Sequence, residues 1–218
     1  MSKSGEVRAA ASLRMGGHRP RLQRKVLGLM LAGSLLGQAP AAVPVEQEPK
    51  HKVVFKNEFV RIIDATLPAG YVTLNHTHEA DNISVTISNG REGEAATRGL
   101  GRAGCARGGY SHSVTNSGPG VMRYIVVEPL KADRPNATLA LSPNHTLETE
   151  NDRVRIYRIK LAVGESLASH VHETGRVEVT VSGPEGPGAS RWVPGGVNHS
   201  LQAPAGSPAV EVVEIEPK

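Results

Sequence analysis

The sequence predicts an all-β protein built from small antiparallel jelly rolls. Two segments, Ile83 to Gly90 and Val177 to Pro184, alternate apolar with polar residues, the period of a strand with one buried face. Turn residues end both segments, and glycines and prolines separate many other short apolar runs. No long stretch shows the 3.6-residue period of an amphipathic helix. Many short strands separated by such turns are typical of barrels and jelly rolls.

The first 42 residues predict a secretory signal peptide. A basic beginning is followed by an apolar run from Val26 to Gly37, and then by small residues up to Ala42. This order is typical of a leader that is cleaved after Ala41 or Ala42. The apolar run is shorter than the roughly 20 residues that span a bilayer. We therefore expect a periplasmic or secreted protein with no stable membrane span once the leader is removed.

The net charge argues against a nucleic-acid partner. The whole chain carries +4, but residues 1–42 hold seven basic and one acidic side chain, a net +6. The remaining chain is therefore −2, mildly acidic, and lacks the basic character of a nucleic-acid-binding surface.

After the leader, the chain contains an internal repeat. His51 to Gly70 matches His145 to Gly164 at a constant offset of 94 residues, and the same register continues through the next pair of histidines. Later positions match at an offset of 87. A repeat on this scale indicates a duplicated module. We expect two domains, residues 43–131 and 132–218.

The eight histidines beyond the leader form four matched pairs in this repeat. The pairs are His51 with His145, His76 with His170, His78 with His172, and His112 with His199. Two histidines at i and i+2 on a strand point to the same face, so both can reach one ion, and a third from a neighbouring strand would complete the set. The predicted metal ligands are His76, His78, His112, His170, His172 and His199.

With these histidines the chain resembles the cupin superfamily, whose two motifs are written G(X)5HXH(X)3,4E(X)6G and G(X)5PXG(X)2H(X)3N. The first copy matches at Gly70, His76, His78, Gly90, Gly101, Gly109, His112 and Asn116, with Arg107 in place of the proline. The second copy matches at Gly164, His170, His172, Gly183, Gly188, Pro194, Gly196 and His199, with Ala203 in place of the asparagine. The resemblance implies two tandem cupin barrels, also described as double-stranded β-helices or jelly rolls. His51 and His145 lie outside both motifs, and we interpret them as structural residues.

The motif glutamate, which cupin enzymes commonly use as a fourth ligand or a base, is absent from both copies. Its place is taken by Asn82 or Ile83 in the first copy and by Arg176 or Val177 in the second. Other residues are candidates for auxiliary or ligand-contacting roles: Asp81, Asn82, Arg176 and Glu178. If Arg176 points inward its charge would repel a metal ion, or it could pair with an anionic ligand.

Three functions remain open at this stage. The resemblance implies a divalent transition metal, with iron, manganese, nickel, zinc and copper all open, and an oxygenase or isomerase that acts on a small organic molecule. The missing glutamate favours a non-catalytic module that binds a metal or small ligand in the periplasm. A structural bicupin is the third reading. Catalytic residues are unassigned, and the oligomeric state stays open, a homo-oligomer included.

Overall fold

The computed structural model describes residues 41–134 and 144–218. The predicted signal peptide, except for its last two residues, lies outside the described residues, as do residues 135–143 between the two repeats. The described chain forms fifteen strands and two short 3-10 helices, Val45–Gln47 and Gly93–Thr97. The predicted all-β class is confirmed.

The strands fall into two groups along the chain. Residues 41–134, the first half, contain β1 (Val43–Pro44), β2 (His51–Lys56), β3 (Val60–Leu67), β4 (His76–His78), β5 (Asn82–Asn89), β6 (Ala103–Ala106), β7 (Tyr110–His112) and β8 (Met122–Pro129). Residues 144–218, the second half, contain β9 (His145–Glu150), β10 (Val154–Leu161), β11 (Ser166–Val171), β12 (Arg176–Ser182), β13 (Ser190–Val193), β14 (Asn198–Gln202) and β15 (Val210–Pro217). The two segments predicted as strands from their alternation are β5 and β12.

Each half pairs one large sheet with one small sheet. The first half has a five-stranded sheet in the order β2-β3-β8-β5-β6 and a three-stranded sheet, β1-β4-β7. The second half has β13-β12-β15-β10-β9 and β11-β14. All pairings between these strands are antiparallel except the one between β1 and β4. Within the described residues, no sheet pairs strands from both halves. The bounds of the two predicted domains, 43–131 and 132–218, stay a prediction.

The two five-stranded sheets bury one face against each other. Side chains alternate along a strand, so one set enters this shared core and the other enters the interior of its own half. On β3, Val60 and Ile62 join the shared core, which also contains Val213 and Ile215 of β15. The neighbouring Ile63 belongs to a separate core inside the first half. The interior faces of the large sheets are therefore the ones that meet the histidine-bearing small sheets.

A glycine turn joins the two motifs in each half. Gly70 and Gly164 both have positive φ, 72° and 86°, a conformation that glycine adopts without steric cost. The N–H of Gly70 donates to the carbonyl of Asn116 at 2.9 Å, and the N–H of Gly164 donates to the carbonyl of Ala203 at 2.6 Å. These bonds bring the end of the second motif to the start of the first, which places the histidines of both motifs side by side.

None of the helices found in the described residues has the length and apolar character that would be needed to cross a bilayer.

Candidate metal centres

The first three histidines meet on the small sheet of the first half. His76 and His78 lie on β4, two residues apart, and His112 lies on β7 directly opposite His76. Each of the three rings has one nitrogen that lies within 4.8 Å of a nitrogen of both other rings. His76 and His78 are buried. The i, i+2 spacing thus supplies two rings from one strand face, and the antiparallel neighbour supplies the third. We call these residues the first cluster.

Hydrogen bonds on the outer nitrogens leave the inner ones free. Nδ1 of His76 donates to the carbonyl of Leu74 at 2.9 Å, and Nδ1 of His78 donates to Oε1 of Glu128 at 2.9 Å. In a neutral ring that donates through Nδ1, Nε2 carries a lone pair. Nε2 of His76 and Nε2 of His112 are buried and have no hydrogen-bond partner. Such a set of free lone pairs fits a cation.

Burial favours the neutral form of two of these rings. Burial, followed by the neighbouring imidazoles, lowers the pKa of His112 to about 4. The pKa of His76 is also lowered, chiefly by burial. Neutral imidazole is the form that binds a metal ion, and it suits zinc, copper, iron and nickel. The donors of the first cluster therefore match a transition metal.

Glu128 is a site residue that sequence reasoning missed. It lies on β8, is fully buried, and holds His78 with one oxygen while the other oxygen pairs with Arg61. Glu216 occupies the same place in the second half, where it accepts a hydrogen bond from Nδ1 of His172 at 2.7 Å. Both glutamates precede a proline at the end of each repeat. That shared Glu-Pro was the signal that could have identified them.

His51 also lies at the first cluster, although the sequence favoured a structural role. Its ring centroid is 4.6 Å from that of His76, and its Nδ1 is buried without a hydrogen-bond partner. Burial and the charges of the other histidines lower its pKa to about 4. The sequence feature that could have indicated this position is the match of His51 with His145 at the same offset as the motif histidines.

A cavity of about 220 Å³ opens beside the first cluster. His78 and His112 form part of its wall, and the rest is largely apolar and aromatic. Further lining residues are Leu67, Tyr110, Tyr124 and Val126. A concave, mostly apolar space with a few polar groups is typical of a small-molecule site.

The two auxiliary candidates of the first half have different positions. Asp81 does not join the first cluster, because its carboxylate is held by Arg107 at 3.2 Å and by the N–H of Gly108 at 2.8 Å. A salt bridge and a backbone bond therefore hold Asp81, in the turn between β4 and β5, against the turn that precedes β7. Asn82, in contrast, is buried and lines the cavity, where its amide bonds the hydroxyl of Tyr110 at 3.1 Å.

The motif histidines of the second half also converge. His170 lies on β11 opposite His199 on β14, and His172 follows β11 directly. Nε2 of His170 is 3.1 Å from Nε2 of His172 and 2.8 Å from Nε2 of His199. Two nitrogens bound to one ion at about 2.0–2.1 Å lie roughly 2.9 Å apart at a right angle. His170 has this spacing with each of the other two, and we call the three residues the second cluster. Nitrogen and oxygen atoms that all lie within 4.8 Å of one another form two sets that share His172, one with His145 and His170 and one with His199 and Glu214.

Arg176 points inward, the orientation that the sequence analysis considered unfavourable for a metal ion, but acidic side chains neutralise its charge. The side chain is fully buried, and its Nε donates to Oε1 of Glu214 at 3.0 Å while Nη2 donates to Oε1 of Glu178 at 2.7 Å. Glu178 also pairs with Arg191 and lies 3.3 Å from Nδ1 of His199. Burial, and then the charge of Arg176, lowers the pKa of His199 to about 3. Arg176 thus belongs to a buried ion-pair network.

The interiors of the two halves differ at equivalent positions. In the first half Val126 pairs with Ile63, whereas in the second half Glu214 pairs with Tyr157. Tyr157 is buried, and its hydroxyl donates to Glu216 at 3.2 Å. Together with Arg176, these side chains fill the second interior with polar groups where the first has an apolar cavity.

Comparison with known proteins gives a likeness of fold. The structure is similar to that of a salicylate 1,2-dioxygenase variant from Pseudoaminobacter salicylatoxidans in complex with gentisate, with 12% identity, a TM-score of 0.52, and coverage of 81% of this chain and 76% of that one. A cupin 2 conserved barrel domain protein from Leptotrichia buccalis shows 11% identity and a TM-score of 0.49, over 77% of this chain and 88% of that one. No family model and no curated protein matches the sequence. The structural neighbours include cupin-domain proteins, and the chain has their all-β jelly-roll fold.

Proposed function

We propose that the protein is an exported bicupin whose first half binds a divalent transition metal through His76, His78 and His112 and acts on a small organic molecule. The reaction class is metal-dependent oxygenation or isomerisation. The observation that carries the proposal is the position of the cavity, which has two of the three histidines in its wall. A molecule in this cavity would lie directly against the metal ligands.

The size of the cavity limits the substrate to a small molecule. An apolar cavity of roughly 150 Å³ holds one benzene ring. The 220 Å³ beside the first cluster therefore suits a single ring, or a chain of similar volume, with one or two polar substituents. Tyr110 and Tyr124 line it, and burial raises the pKa of Tyr124, so that its hydroxyl stays protonated at neutral pH. A protonated phenol donates a hydrogen bond, which suits a carbonyl or carboxylate oxygen.

The metal would supply a Lewis acid or an oxygen-activating centre, because three protein ligands leave coordination positions for substrate. The side chains around the first cluster would position the metal ligands and the substrate. Glu128 holds the ring of His78, Asn82 holds the hydroxyl of Tyr110, and the apolar lining excludes water from the space between them. The leader supports the proposed export, since a basic segment, an apolar run and small residues occur in that order.

The test combines metal loading with a substrate panel. Protein loaded separately with iron, manganese, nickel, zinc or copper is incubated with single-ring hydroxy acids and small keto acids, while oxygen uptake and products are measured. We expect turnover with at least one metal. The double variant His76→Ala/His78→Ala should lose it, and the matched variant His170→Ala/His172→Ala should retain it. Equal loss in both variants would contradict assignment of the reaction to the first cluster.

A second variant tests the cavity without touching a ligand. Val126→Phe places a ring in the cavity and should abolish small-molecule binding while the metal content of the first cluster is unchanged. Val121→Phe, at a position that is 49% exposed, is the control. Binding without turnover in the parent protein would instead establish the non-catalytic binding module. A parent that takes up no metal would establish the structural bicupin.

A further inference from the structure

The second cluster has two neighbouring donors that lie outside both sequence motifs. Nε2 of His145, on the first strand of the second half, lies 3.4 Å from Oε2 of Glu214, on the last strand. Nε2 of His172 lies 3.4 Å from the same oxygen. The side chains of His145 and Glu214 are both completely buried. Nε2 of His145 and Oε2 of Glu214 are left without a hydrogen-bond partner.

The hydrogen bonds of the second cluster place lone pairs against each other. Nδ1 of His170 donates to the carbonyl of Ala168 at 3.0 Å, and Nδ1 of His172 donates to Glu216. The two Nε2 atoms face each other at 3.1 Å, and in neutral rings that donate through Nδ1 both would carry lone pairs. With the carboxylate oxygen of Glu214 close to one of them, either a proton on one Nε2 or a cation between the atoms relieves the repulsion.

Arg176 does not supply this cation, because its contacts are on the other side of Glu214. Its Nε binds Oε1 of Glu214, which leaves Oε2 directed at His145 and His172. The carboxylate is thus oriented by an arginine on one oxygen and free on the other. Hydrogen bonding that orients a ligand from outside in this way is common around protein-bound metals.

We propose that the second half holds a transition-metal ion in an enclosed structural site, in which His145 and Glu214 join His170, His172 and His199. The first cluster has no counterpart of this carboxylate, since Val126 occupies the position equivalent to Glu214. Imidazole and carboxylate donors together suit zinc and iron. The donors form two overlapping sets that share His172, and side chains packed this closely leave little room for a substrate. This ion therefore stabilises the fold, whereas the first cluster keeps open positions.

The proposal is independent of the reaction assigned to the first cluster, and metal content tests it directly. The full chain is loaded with cobalt(II) or zinc(II), dialysed and analysed for metal, and the visible spectrum of the cobalt protein is recorded. We expect two ions per chain. Glu214→Gln and His145→Gln should each weaken one of the two sites roughly tenfold or more. The control is Glu211→Gln, on the same strand as Glu214 but in a partly buried pair with Arg158. This control should retain two ions.

Chelator release gives a second measurement, in which the unmodified protein shows the number of phases and the double variants assign them. Release should occur in two phases, with the fast phase absent from His76→Ala/His78→Ala and the slow phase absent from His170→Ala/His172→Ala. The melting temperature should rise when the slow site is filled. A single ion that is lost with His76 and His78, or full affinity of both sites in Glu214→Gln, would overturn the proposal. A single slow ion that is lost with His170 and His172 would support it while contradicting the metal site of the proposed function.

Discussion

At the scale of single residues, the orientation of each ring depends on the acceptor behind it. The carboxylate of Glu128 accepts a hydrogen bond from Nδ1 of His78, and this bond directs Nε2 towards His76 and His112. Arg61 neutralises the second oxygen of Glu128, so the charge of the buried acid is compensated. The histidine, the glutamate and the arginine therefore act as one unit.

Glu128→Gln should weaken metal binding at the first cluster by roughly 10–100-fold, because the amide fixes the ring less strongly and no longer increases its basicity. Affinity is measured by cobalt(II) titration in a protein that also carries His170→Ala and His172→Ala, so that one site is observed. Glu58→Gln, which removes an exposed pair with Lys131, is the control and should leave the affinity unchanged. An unchanged affinity in Glu128→Gln would mean that His78 is not a ligand through Nε2.

Buried neutral histidines also make the stability of the metal-free protein depend on pH. His51 has a folded pKa of about 4, against about 6.5 in an unfolded chain. Between these values the unfolded state binds a proton that the folded state does not. The free energy of unfolding is therefore highest above pH 6.5 and falls as the pH is lowered towards 4.

We expect His51 alone to contribute up to about 3 kcal/mol of this loss. Chemical denaturation of the metal-free protein at a series of pH values measures it. His51→Gln should have a shallower dependence on pH between 6.5 and 4 than the parent. Parallel curves for the two proteins would show that His51 is protonated in the folded state as readily as in the unfolded one.

At the scale of elements, a buried asparagine holds the turn that precedes the first histidine motif. Nδ2 of Asn116 donates to the carbonyls of Leu67, Pro68 and Gly120 at 2.8–3.0 Å. Gly90 packs against its side chain, so that a Cβ added at Gly90 would lie 2.4 Å from Oδ1 of Asn116. These contacts connect the end of β5 to the turn after β3, which contains Gly70 and aligns the histidines.

Gly90→Ala and Gly70→Ala separate backbone strain from this contact. Both glycines have φ of +72°, but a Cβ at Gly70 meets nothing within 4 Å. Gly70→Ala should cost about 1–2 kcal/mol of unfolding free energy, the penalty for an L-residue in this conformation. Gly90→Ala should cost more, on the order of 4 kcal/mol, because Asn116 is held on several sides. Equal losses in urea denaturation would show that Asn116 moves without penalty.

At the scale of the whole molecule, the two halves share an apolar core. The facing surfaces of the large sheets contribute valines and isoleucines from both halves, and Phe59 stacks on Trp192 with ring centroids 5.5 Å apart. Neither large sheet could expose this face to water without losing much of its apolar burial. We therefore expect the halves to fold and unfold together.

Trp192→Ala should lower the free energy of unfolding by about 3 kcal/mol, since it removes a large partly buried ring from this interface. Val163→Ala, at a position that is 54% exposed, should change it by less than about 0.5 kcal/mol. In the parent, fluorescence of Trp192, the single tryptophan of the chain, and far-ultraviolet circular dichroism should report one coincident transition. Two separate transitions would show that the halves are independent.

Local patterns were sufficient for the strands and for the histidines that share a strand. Alternation predicted β5 and β12, and the HxH spacing placed His76 beside His78, because both depend only on the period of an extended chain. The repeat also predicted that His112 and His199 would have equivalent surroundings, and each lies opposite the first histidine of its own motif. Spacing could not assign roles to His51 and His145, since they lie some 25 residues before the motif histidines.

The all-β class, the positions of many strands and the two sets of three histidines follow from local sequence patterns. The buried side chains that face the histidines follow from tertiary packing: Glu128 and Glu216 behind the rings, Glu214 beside the second cluster, and a cavity beside the first. Local patterns do not reach them because antiparallel pairing brings the last strand of each half between strands that are distant in the chain. The alternation of side chains predicts which residues of that strand share a face. The residues that this face contacts are set only when the sheets form.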